Sequence, residues 1–333
     1  MKAIVYHGPM SLMLEEVQIP DIEENEVLLK VEMVGICGSE IEGYVGKSSV
    51  RKPPLIMGHE FCGIVESVGL QVNEWKNGER AVINPLLSCG FCYYCQSGKG
   101  NVCPERKLIG IHRPGAFGEY VAVPQQALYR ISSELDSRLM TLAEPTAVCL
   151  HGLFNLRSKP FNSMVVFGAG AIGLITLQIA MAMGYGPITV VDINENRLQH
   201  AKRLGAVNTV TPDQLNKDMS ELFAVAVDCT GSSSARQLCM NVVQPGGEVL
   251  LMGLGHDSSE LAINDLIRRE ISIMTSYSYT HRDFQSALML LLEGKINIEG
   301  WTLTSELSHA PKIFEELVGQ TVTASKVFLK PRP

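Results

Sequence analysis

The sequence predicts an α/β protein that combines a β-rich domain with a doubly wound domain built on a parallel sheet. Two observations lead to this prediction. In the first half, short apolar runs alternate with turn residues at close spacing, as in small antiparallel barrels and sandwiches. From about Asn162 onward, apolar strand-like runs alternate with helical stretches, which is typical of βαβ units.

The composition supports a globular protein and excludes several other classes. The chain has 333 residues, of which 46% are hydrophobic and 19% charged, and its net charge is −7. This length corresponds to roughly two domains. The acidic balance argues against nucleic acid or an anionic membrane as a partner. Because no long apolar run and no signal-peptide core is present, we expect no membrane span and a cytoplasmic location.

The first half contains several candidate strands. Val27–Val31, Gly63–Val68 and Ala81–Ile83 are apolar runs that lie between turn signals such as Asn77-Gly78 and Asn84-Pro85. Asparagine, glycine and proline favour turns because they supply unusual backbone angles or local hydrogen bonds. We expect these strands to form one domain over residues 1–150.

The second half is expected to form its own domain over residues 151–275. Met164–Phe167 and Ile188–Val191 are short, continuous apolar runs, as in strands that are buried on both faces. The further predicted elements are helices at Ile172–Met183, Glu195–Leu204 and Ala235–Val243, and strands at Ala224–Val227 and Glu248–Met252. After residue 275 the helix Phe284–Leu292 and the strand Lys326–Leu329 no longer alternate regularly. Residues 276–333 are therefore expected to return to the first domain.

A glycine-rich turn indicates a dinucleotide site. The run Gly168-Ala169-Gly170-Ala171-Ile172-Gly173 follows the first strand of the second domain and opens its first helix. The pattern is weak alone, but this context is the one that dinucleotide binding requires. The first glycine makes the tight turn, the second lets a pyrophosphate approach the backbone, and the third allows close helix packing. The helix N-terminus at Ala171 and Ile172 would receive the anion.

Three later positions extend the predicted cofactor site. Asp192 ends the next strand, about 20 residues further on, where a carboxylate binds the adenosine ribose and would repel a 2′-phosphate. NAD is therefore predicted over NADP, although Arg197 is a nearby cation. Cys229 and Thr230 follow a strand at the edge where such sheets bind ligands. The alternative is a purely architectural turn with a surface aspartate.

Four of the nine cysteines lie in one loop, at Cys89, Cys92, Cys95 and Cys103. Tetrahedral Zn²⁺ suits four thiolates, and a short loop can supply them with little loss of chain entropy. Because no position is open, this zinc would be structural. An iron–sulfur cluster is the alternative, but the ferredoxin pattern ends with a spacing of three residues rather than seven. Free thiols are a third possibility.

Three further motifs carry metal-binding residue types: Cys37 in Gly35–Ser39, the pair His59-Glu60, and Glu144 before Pro145. Each has an ordinary explanation as a core thiol, a core histidine or an acid at a helix start. Together with the cysteine loop and the glycine-rich turn, in this order, they resemble the zinc-dependent medium-chain alcohol dehydrogenase superfamily. The resemblance covers the whole chain and is strongest to the polyol branch, which includes sorbitol, galactitol-phosphate and threonine dehydrogenases.

This resemblance implies a GroES-like catalytic domain, a Rossmann domain and two zinc ions per chain. The catalytic zinc would be held by Cys37 and His59, with Glu60 and Glu144 competing for the remaining protein position. A thiolate, an imidazole and one carboxylate leave a fourth position open, and a second carboxylate allows ligand exchange. A homodimer or homotetramer is also implied.

The implied reaction is the oxidation of a secondary alcohol, a polyol or a polyol phosphate, with hydride transfer to NAD. Zinc lowers the pKa of bound water from about 15.7 to about 7, which corresponds to about 12 kcal/mol as an upper bound. A positioned acid–base group contributes only about 3–5 kcal/mol. The resemblance gives this proton-accepting role to Ser39. Many relatives continue the relay with a histidine, where this chain has Glu42, so water, the cofactor ribose and Glu42 remain alternatives.

Substrate-facing residues are weakly indicated. Tyr44, His112 and Arg113 are candidates to line the pocket, and Arg113 would suit a phosphate unless it is an ordinary exposed loop arginine. The stretch Ser276–Tyr279 is a candidate to contact the cofactor, with plain sheet tyrosines as the alternative.

Four rival functions remain. A dehydrogenase of an amino alcohol such as threonine lies within the same branch. The zinc-free reductase branch lacks the cysteine loop and the catalytic ligands that are present here. A non-catalytic dinucleotide-binding zinc protein would need only the closed zinc site. A zinc-ribbon nucleic-acid binder is disfavoured by the acidic balance.

Overall fold

The computed structural model describes residues 1–158, 160–217 and 222–331. The chain divides into two compact units, the first formed by Met1–Glu144 with Thr302–Pro333 and the second by Pro145–Trp301. The predicted fold class, a β-rich GroES-like domain plus a doubly wound parallel-sheet domain, is confirmed. No helix in the described ranges has the length and apolar character needed to cross a membrane.

The strands within these ranges are numbered in chain order. They are β1 Lys2–Gly8, β2 Ser11–Glu16, β3 Glu26–Gly35, β4 Leu55–Ile56, β5 Glu60–Val68, β6 Arg80–Ile83, β7 Leu86–Leu87, β8 Lys107–Leu108, β9 Tyr120–Pro124, β10 Leu128–Ile131, β11 Met164–Phe167, β12 Ile188–Val191, β13 Asn208–Val210, β14 Phe223–Asp228, β15 Val243–Leu251, β16 Ser272–Thr275, β17 Thr302–Glu306 and β18 Lys326–Lys330.

The helices are numbered in the same way. They are α1 Gly38–Tyr44, α2 Tyr93–Gln96, α3 Ser137–Thr141, α4 Ala143–Phe154, α5 Ala171–Ala182, α6 Glu195–Arg203, α7 Pro212–Lys217, α8 Ser233–Val242, α9 Ile263–Arg268, α10 His281–Leu292 and α11 Ala310–Val318. Every strand and helix that the sequence predicted is present, with ends that move by a few residues.

The first unit is built on a seven-stranded sheet in the order β10-β6-β5-β3-β18-β17, with β9 pairing β3. The long strand β3 pairs antiparallel with β5, and the register sets Gly35 opposite Glu60. On its other side, β18 sets Phe328 opposite Gly35. Three segments that are distant in the sequence therefore meet at the end of β3. The core of this unit includes Phe61, Phe117 and other large apolar side chains.

The second unit contains a six-stranded parallel sheet in the order β13-β12-β11-β14-β15-β16. This is the 3-2-1-4-5-6 order of the doubly wound dinucleotide-binding fold. The central strands β11, β12 and β14 are buried on both faces, which explains their continuous apolar runs. The strand order reverses between β11 and β14, so ligands are expected at the carboxyl ends of these two strands.

The division of the chain differs from the predicted boundaries at 151 and 276. Residues 276–301 lie with the second unit, in which Tyr279 packs on Phe284 of α10 with ring centroids 5.8 Å apart. In addition, the backbone N–H of Asn297 donates to the Gln178 side chain of α5 at 2.7 Å. The return to the first unit therefore begins at Thr302, with β17. The earlier boundary lies within α4, between Glu144 and Pro145.

Candidate functional site

A cluster of three metal-ligand side chains lies in the first unit, at the end of β3. The potential ligand atoms of Cys37, His59 and Glu60 all lie within 4.8 Å of one another. The pairing of β3 with β5 produces this arrangement, because Cys37 follows β3 and Glu60 begins β5. His59 and Glu60 are buried, and Cys37 is partly buried. One thiolate, one imidazole and one carboxylate suit zinc and leave a fourth position for a ligand.

Glu40 supports this cluster from α1. Its side chain accepts hydrogen bonds from the backbone N–H groups of Cys37 and Gly58, at 2.9 and 2.8 Å. The Nδ1 of His59 lies 2.9 Å from the same carboxylate, so His59 donates through Nδ1 and keeps Nε2 free for a metal. Burial raises the pKa of Glu40, but His59 and Arg51 lower that pKa by more than burial raises it, so the net shift is downward. Glu40 was not among the predicted site residues, although its position as the third residue of α1 is a capping signal.

Lys326 brings a buried ammonium group to the same place. Its Nζ forms an ion pair with Glu60 and also donates to the backbone carbonyl of Ile36 at 3.0 Å. Burial lowers the pKa of Lys326, but Glu60 and Cys37 more than offset it, so the net shift is upward. The ion pair with Lys326 occupies Oε2 of Glu60, so Oε1 is the carboxylate oxygen available to a metal. No motif in the sequence indicated Lys326 as a site residue.

Glu144 lies close to this charged cluster but outside the group of mutually close ligand atoms. Among the described residues, that group comprises Cys37, His59 and Glu60. Glu144 is buried, and burial raises its pKa to about 7, with Glu60 adding to the shift and His59 opposing it. Of the two carboxylates that the sequence left open, the geometry therefore favours Glu60 as the direct ligand.

Ser39 and Arg51 form a chain of hydrogen bonds that begins at Cys37. The Ser39 hydroxyl donates to Cys37 Sγ at 3.4 Å, and Arg51 Nη2 donates to Ser39 Oγ at 3.1 Å. Glu42 is partly buried, and burial raises its pKa, opposed by Lys47 and Arg51. Within the described part of the chain its carboxylate makes no hydrogen bond to Ser39.

The residues suggested for a substrate pocket serve other roles in the structure. Tyr44 is buried against Phe314, with ring centroids 5.4 Å apart. His112 accepts a hydrogen bond from the Leu108 backbone at 3.0 Å. Arg113 is paired with Glu26 at 2.7 Å, so it is neither a free loop arginine nor available to a phosphate. Tyr279 is fully buried, as expected for a plain structural tyrosine, whereas Tyr277 is partly exposed.

The four-cysteine loop forms a second cluster of potential metal ligands in the first unit. The Sγ atoms of Cys92 and Cys95 lie 3.5 Å apart, and three further pairs lie 3.6–3.8 Å apart, among the four cysteines Cys89, Cys92, Cys95 and Cys103. A tetrahedral zinc with Zn–S bonds of about 2.3 Å requires sulfur atoms about 3.8 Å apart. These separations are too long for disulfides, and all nine cysteines are free. The arrangement therefore fits a closed zinc site.

The glycine-rich turn of the second unit has the geometry that its sequence predicts. Gly168 has φ +99°, a conformation that favours glycine. A Cβ at Gly173 would lie 1.7 Å from the carbonyl oxygen of Gly168, so only glycine allows α5 to pack here. A Cβ at Gly170 would meet nothing within 4 Å, which leaves open space beside the N-terminus of α5. This space suits a pyrophosphate.

A cavity of about 400 Å³ lies beside this turn and includes three of the predicted cofactor residues, Asp192, Arg197 and Thr230. Asp192 directly follows β12. Its carboxylate accepts hydrogen bonds from the backbone N–H groups of Ala169 and Asn194, at 2.6 and 2.8 Å. Its carboxylate therefore ties the turn to the next strand while still facing the cavity. The volume and the single carboxylate suit an adenosine.

Cys229 and Thr230 follow β14 at the reversal point of the sheet. Asp228 accepts hydrogen bonds from the backbone N–H groups of Thr230 and Gly231 at 2.8 and 3.0 Å, which fixes this turn. Cys229 donates to Thr176 of α5 at 3.8 Å, and burial raises the pKa of its thiol. Thr230 is therefore the side chain that reaches the cavity, and only the backbone of Cys229 is available to a cofactor.

Removing the charge of Asp192 tests the predicted cofactor preference. We expect Asp192→Asn to raise kcat/KM for NADP relative to NAD by about 10-fold or more, because it removes the repulsion of a 2′-phosphate while Arg197 remains. Steady-state rates with both cofactors provide the measurement. The matched control is Asp213→Asn, an exposed aspartate of α7 in the same unit. An unchanged ratio in Asp192→Asn would contradict the assignment.

Comparison with known proteins gives a consistent result. Residues 23–133 match the alcohol dehydrogenase GroES-like domain, and residues 171–293 match the zinc-binding dehydrogenase domain. An uncharacterized zinc-type alcohol dehydrogenase-like protein of Haemophilus influenzae is 33% identical over 89% of this chain and 88% of its own. The sorbitol dehydrogenase of Bacillus subtilis is 32% identical over 84% of this chain and 83% of its own. The crystal structure of RspB from Escherichia coli, complexed with NADH, has a TM-score of 0.91 at 27% identity and covers 99% of both chains.

Proposed function

Because the chain belongs to the zinc-dependent alcohol dehydrogenase family with a GroES-like domain, we propose that it oxidises a polyol, free or phosphorylated, at a zinc held by Cys37, His59 and Glu60. The chain is an NAD-linked, zinc-dependent oxidoreductase. The observation that carries the proposal is the convergence of one thiolate, one imidazole and one carboxylate within 4.8 Å. Three such ligands would leave the fourth position of a zinc ion open.

The neighbouring side chains would hold these ligands in place. Glu40 orients His59 so that Nε2 faces the metal, and Lys326 fixes one oxygen of Glu60. Glu144 would be a second carboxylate that can replace Glu60 as a zinc ligand. When bound, zinc supplies the Lewis acidity that lowers the pKa of the substrate hydroxyl. The four-cysteine loop would hold the second zinc, which has no open position.

Ser39 would receive the proton of the substrate hydroxyl. Its hydroxyl lies beside Cys37 and is hydrogen-bonded on its other side to Arg51. From Ser39 the proton would pass to water or to the cofactor ribose, because the carboxylate of Glu42 makes no hydrogen bond to it within the described residues. When bound, the nicotinamide would supply the hydride acceptor.

On the nucleotide side, we propose three roles. The backbone around Gly170, Ala171 and Ile172 would bind the pyrophosphate, with Gly168 and Gly173 shaping the turn. Asp192 would bind the adenosine ribose, and Thr230 would line the same cavity. Arg197 would border the ribose without overriding the charge of Asp192.

Removal of the Ser39 hydroxyl separates its role from that of the zinc ligands. We expect Ser39→Ala to lower kcat by about 10²–10⁴-fold and to leave measurable turnover, because water can still accept the proton. Ser39→Thr, which keeps a hydroxyl, should retain most of the activity. If Ser39→Ala were as inactive as a variant lacking a zinc ligand, the proposed ranking of zinc over the relay would be wrong.

We also propose a cytoplasmic homodimer or homotetramer. The free state of all nine cysteines fits a reducing compartment, where disulfides are rare. Multi-angle light scattering of the purified protein should give a mass of two or four chains. A monomer at assay concentration would contradict the oligomeric part of the proposal.

The proposed substrate class is tested with a panel that contains free polyols, polyol phosphates, L-threonine and simple secondary alcohols. Nicotinamide absorbance reports the reduction of NAD⁺ or NADP⁺ in the presence and absence of a chelator. We expect chelator-sensitive reduction of NAD⁺ with one class of polyol. A preference for L-threonine would identify an amino-alcohol dehydrogenase instead, and no reduction at full zinc occupancy would contradict the proposed function.

A further inference from the structure

Arg51 is a buried cation without an anionic partner, next to the proposed zinc site. Its side chain is 6% exposed, and within the described ranges no carboxylate oxygen lies within 4.0 Å of it. The hydrogen bond from Nη2 to Ser39 is the one that the described structure gives its guanidinium, and the buried Nε has no partner. A guanidinium has five N–H donors, and one of them has a partner among the described residues. Burying a charge in this way is costly unless an anion compensates it.

The surrounding backbone makes room for this side chain. A Cβ at Gly43 would lie 2.7 Å from Arg51 Cδ, so the glycine in α1 leaves the space through which the arginine passes. The carbonyl of Gly43 is held by the Tyr6 hydroxyl at 2.9 Å, which fixes α1 against β1 at this point. The position of Arg51 is therefore built into the packing of the first unit rather than set by a loose surface loop.

The nearby acidic residues do not neutralise Arg51 by contact. Glu40 is fully buried, and its two oxygens are engaged by Cys37, Gly58 and His59. Glu42 is partly buried and lies beyond ion-pair distance, among the residues that the structure describes. Both carboxylates act on Arg51 only at longer range. The guanidinium thus remains free to bind an added anion.

We infer that Arg51 binds an anionic group of the substrate, so that the substrate is an acidic polyol, either a sugar carboxylate or a polyol phosphate. This inference rests on the proposed function, which it narrows. The planar fork of a guanidinium matches the paired oxygens of a carboxylate or a phosphate. Ser39 connects Arg51 to Cys37, because it accepts a hydrogen bond from Arg51 and donates one to Cys37. An anion on Arg51 would therefore orient the polyol with a carbinol carbon at the zinc site.

Kinetics with matched substrates test this inference. The substrates are gluconate, sorbitol 6-phosphate and uncharged sorbitol, and the variants are Arg51→Met, Arg51→Lys and the control Lys52→Met, which removes an adjacent exposed cation. We expect Arg51→Met to lower kcat/KM about 100-fold for the preferred anionic substrate and less than about 5-fold for sorbitol. Arg51→Lys should recover part of the loss, and Lys52→Met should change little. If kcat/KM in Arg51→Met falls more for gluconate, Arg51 binds a carboxylate; if it falls more for sorbitol 6-phosphate, Arg51 binds a phosphate.

An equal loss on sorbitol and on the anionic substrates would overturn the inference, because Arg51 would then act through Ser39 alone. A loss of NADH affinity in Arg51→Met without any substrate would also overturn it, since the guanidinium would then serve the cofactor. Zinc content and the thermal midpoint of each variant show whether it is folded.

Binding provides a readout that does not depend on turnover. Isothermal titration of the zinc-loaded protein, with NAD⁺ present, uses gluconate, inorganic phosphate and sorbitol as probes. We expect one of the two anions to bind the wild-type protein, and we expect Arg51→Met to abolish that binding. If no alcohol is oxidised but this difference is seen, the proposed function fails and the anion site stands. If neither anion binds the wild-type protein, the anion site fails.

Discussion

Cys37→Ser and His59→Ala are each expected to lower kcat by more than about 10⁴-fold while leaving NADH affinity within about 2-fold of wild type. A bound zinc would contribute up to about 12 kcal/mol to stabilising the deprotonated alcohol, more than the contribution of a single acid–base group. The residues proposed to bind NAD all belong to the other structural unit. Steady-state rates, NADH fluorescence titration and zinc content per chain provide the measurements, and the zinc content should fall from two to one.

Cys62→Ser is the matched control for this prediction. Cys62 is a buried cysteine of β5 whose thiol donates to the Ser137 carbonyl at 3.4 Å, and burial raises its pKa to about 12. It should therefore remain a thiol, and its replacement should leave both zinc ions and most of the activity in place. Full activity in Cys37→Ser would show that the cluster at the end of β3 is not the catalytic metal site.

The second large effect is expected from Cys103→Ser, which removes a fully buried ligand of the four-cysteine loop. The other three thiols would be left without their metal, so we expect the loss of one zinc and a loss of stability of about 4 kcal/mol or more. Urea denaturation monitored by fluorescence, together with zinc content, provides the measurement. Activity per catalytic zinc should change little below the new unfolding midpoint. Retention of two zinc ions and of the wild-type midpoint would rule out a structural zinc in this loop.

Much of the second unit was predictable because its signals are local. Met164–Phe167 and Ile188–Val191 form strands with the bounds that their apolar runs indicate. The glycine-rich turn could be recognised for the same reason, since the strand, the turn and the helix are consecutive in the sequence. The predicted return at residue 276 differs from the structure because the elements between 276 and 301 lack the regular alternation on which the boundary was based.

The groups around the proposed zinc site were only partly predictable. Cys37, His59 and Glu60 lie in short motifs that resemble a known family, but Lys326 is 266 residues away from its partner Glu60. The pairing of β18 and of β5 with opposite sides of β3 brings the two side chains together. Arg51 was missed for a similar reason, because its importance lies in the absence of a carboxylate close to it within the described structure. A sequence does not display such an absence.

Stepwise removal of zinc with a chelator, with zinc content and NAD⁺-dependent polyol oxidation measured in the same samples, tests the catalytic zinc most directly. We predict that activity falls in proportion to the loss of the first zinc, that the second zinc resists removal in the four-cysteine loop, and that added Zn²⁺ restores activity. If the protein kept its full activity after the more labile zinc had been lost, the central claim of a catalytic zinc at Cys37, His59 and Glu60 would be contradicted.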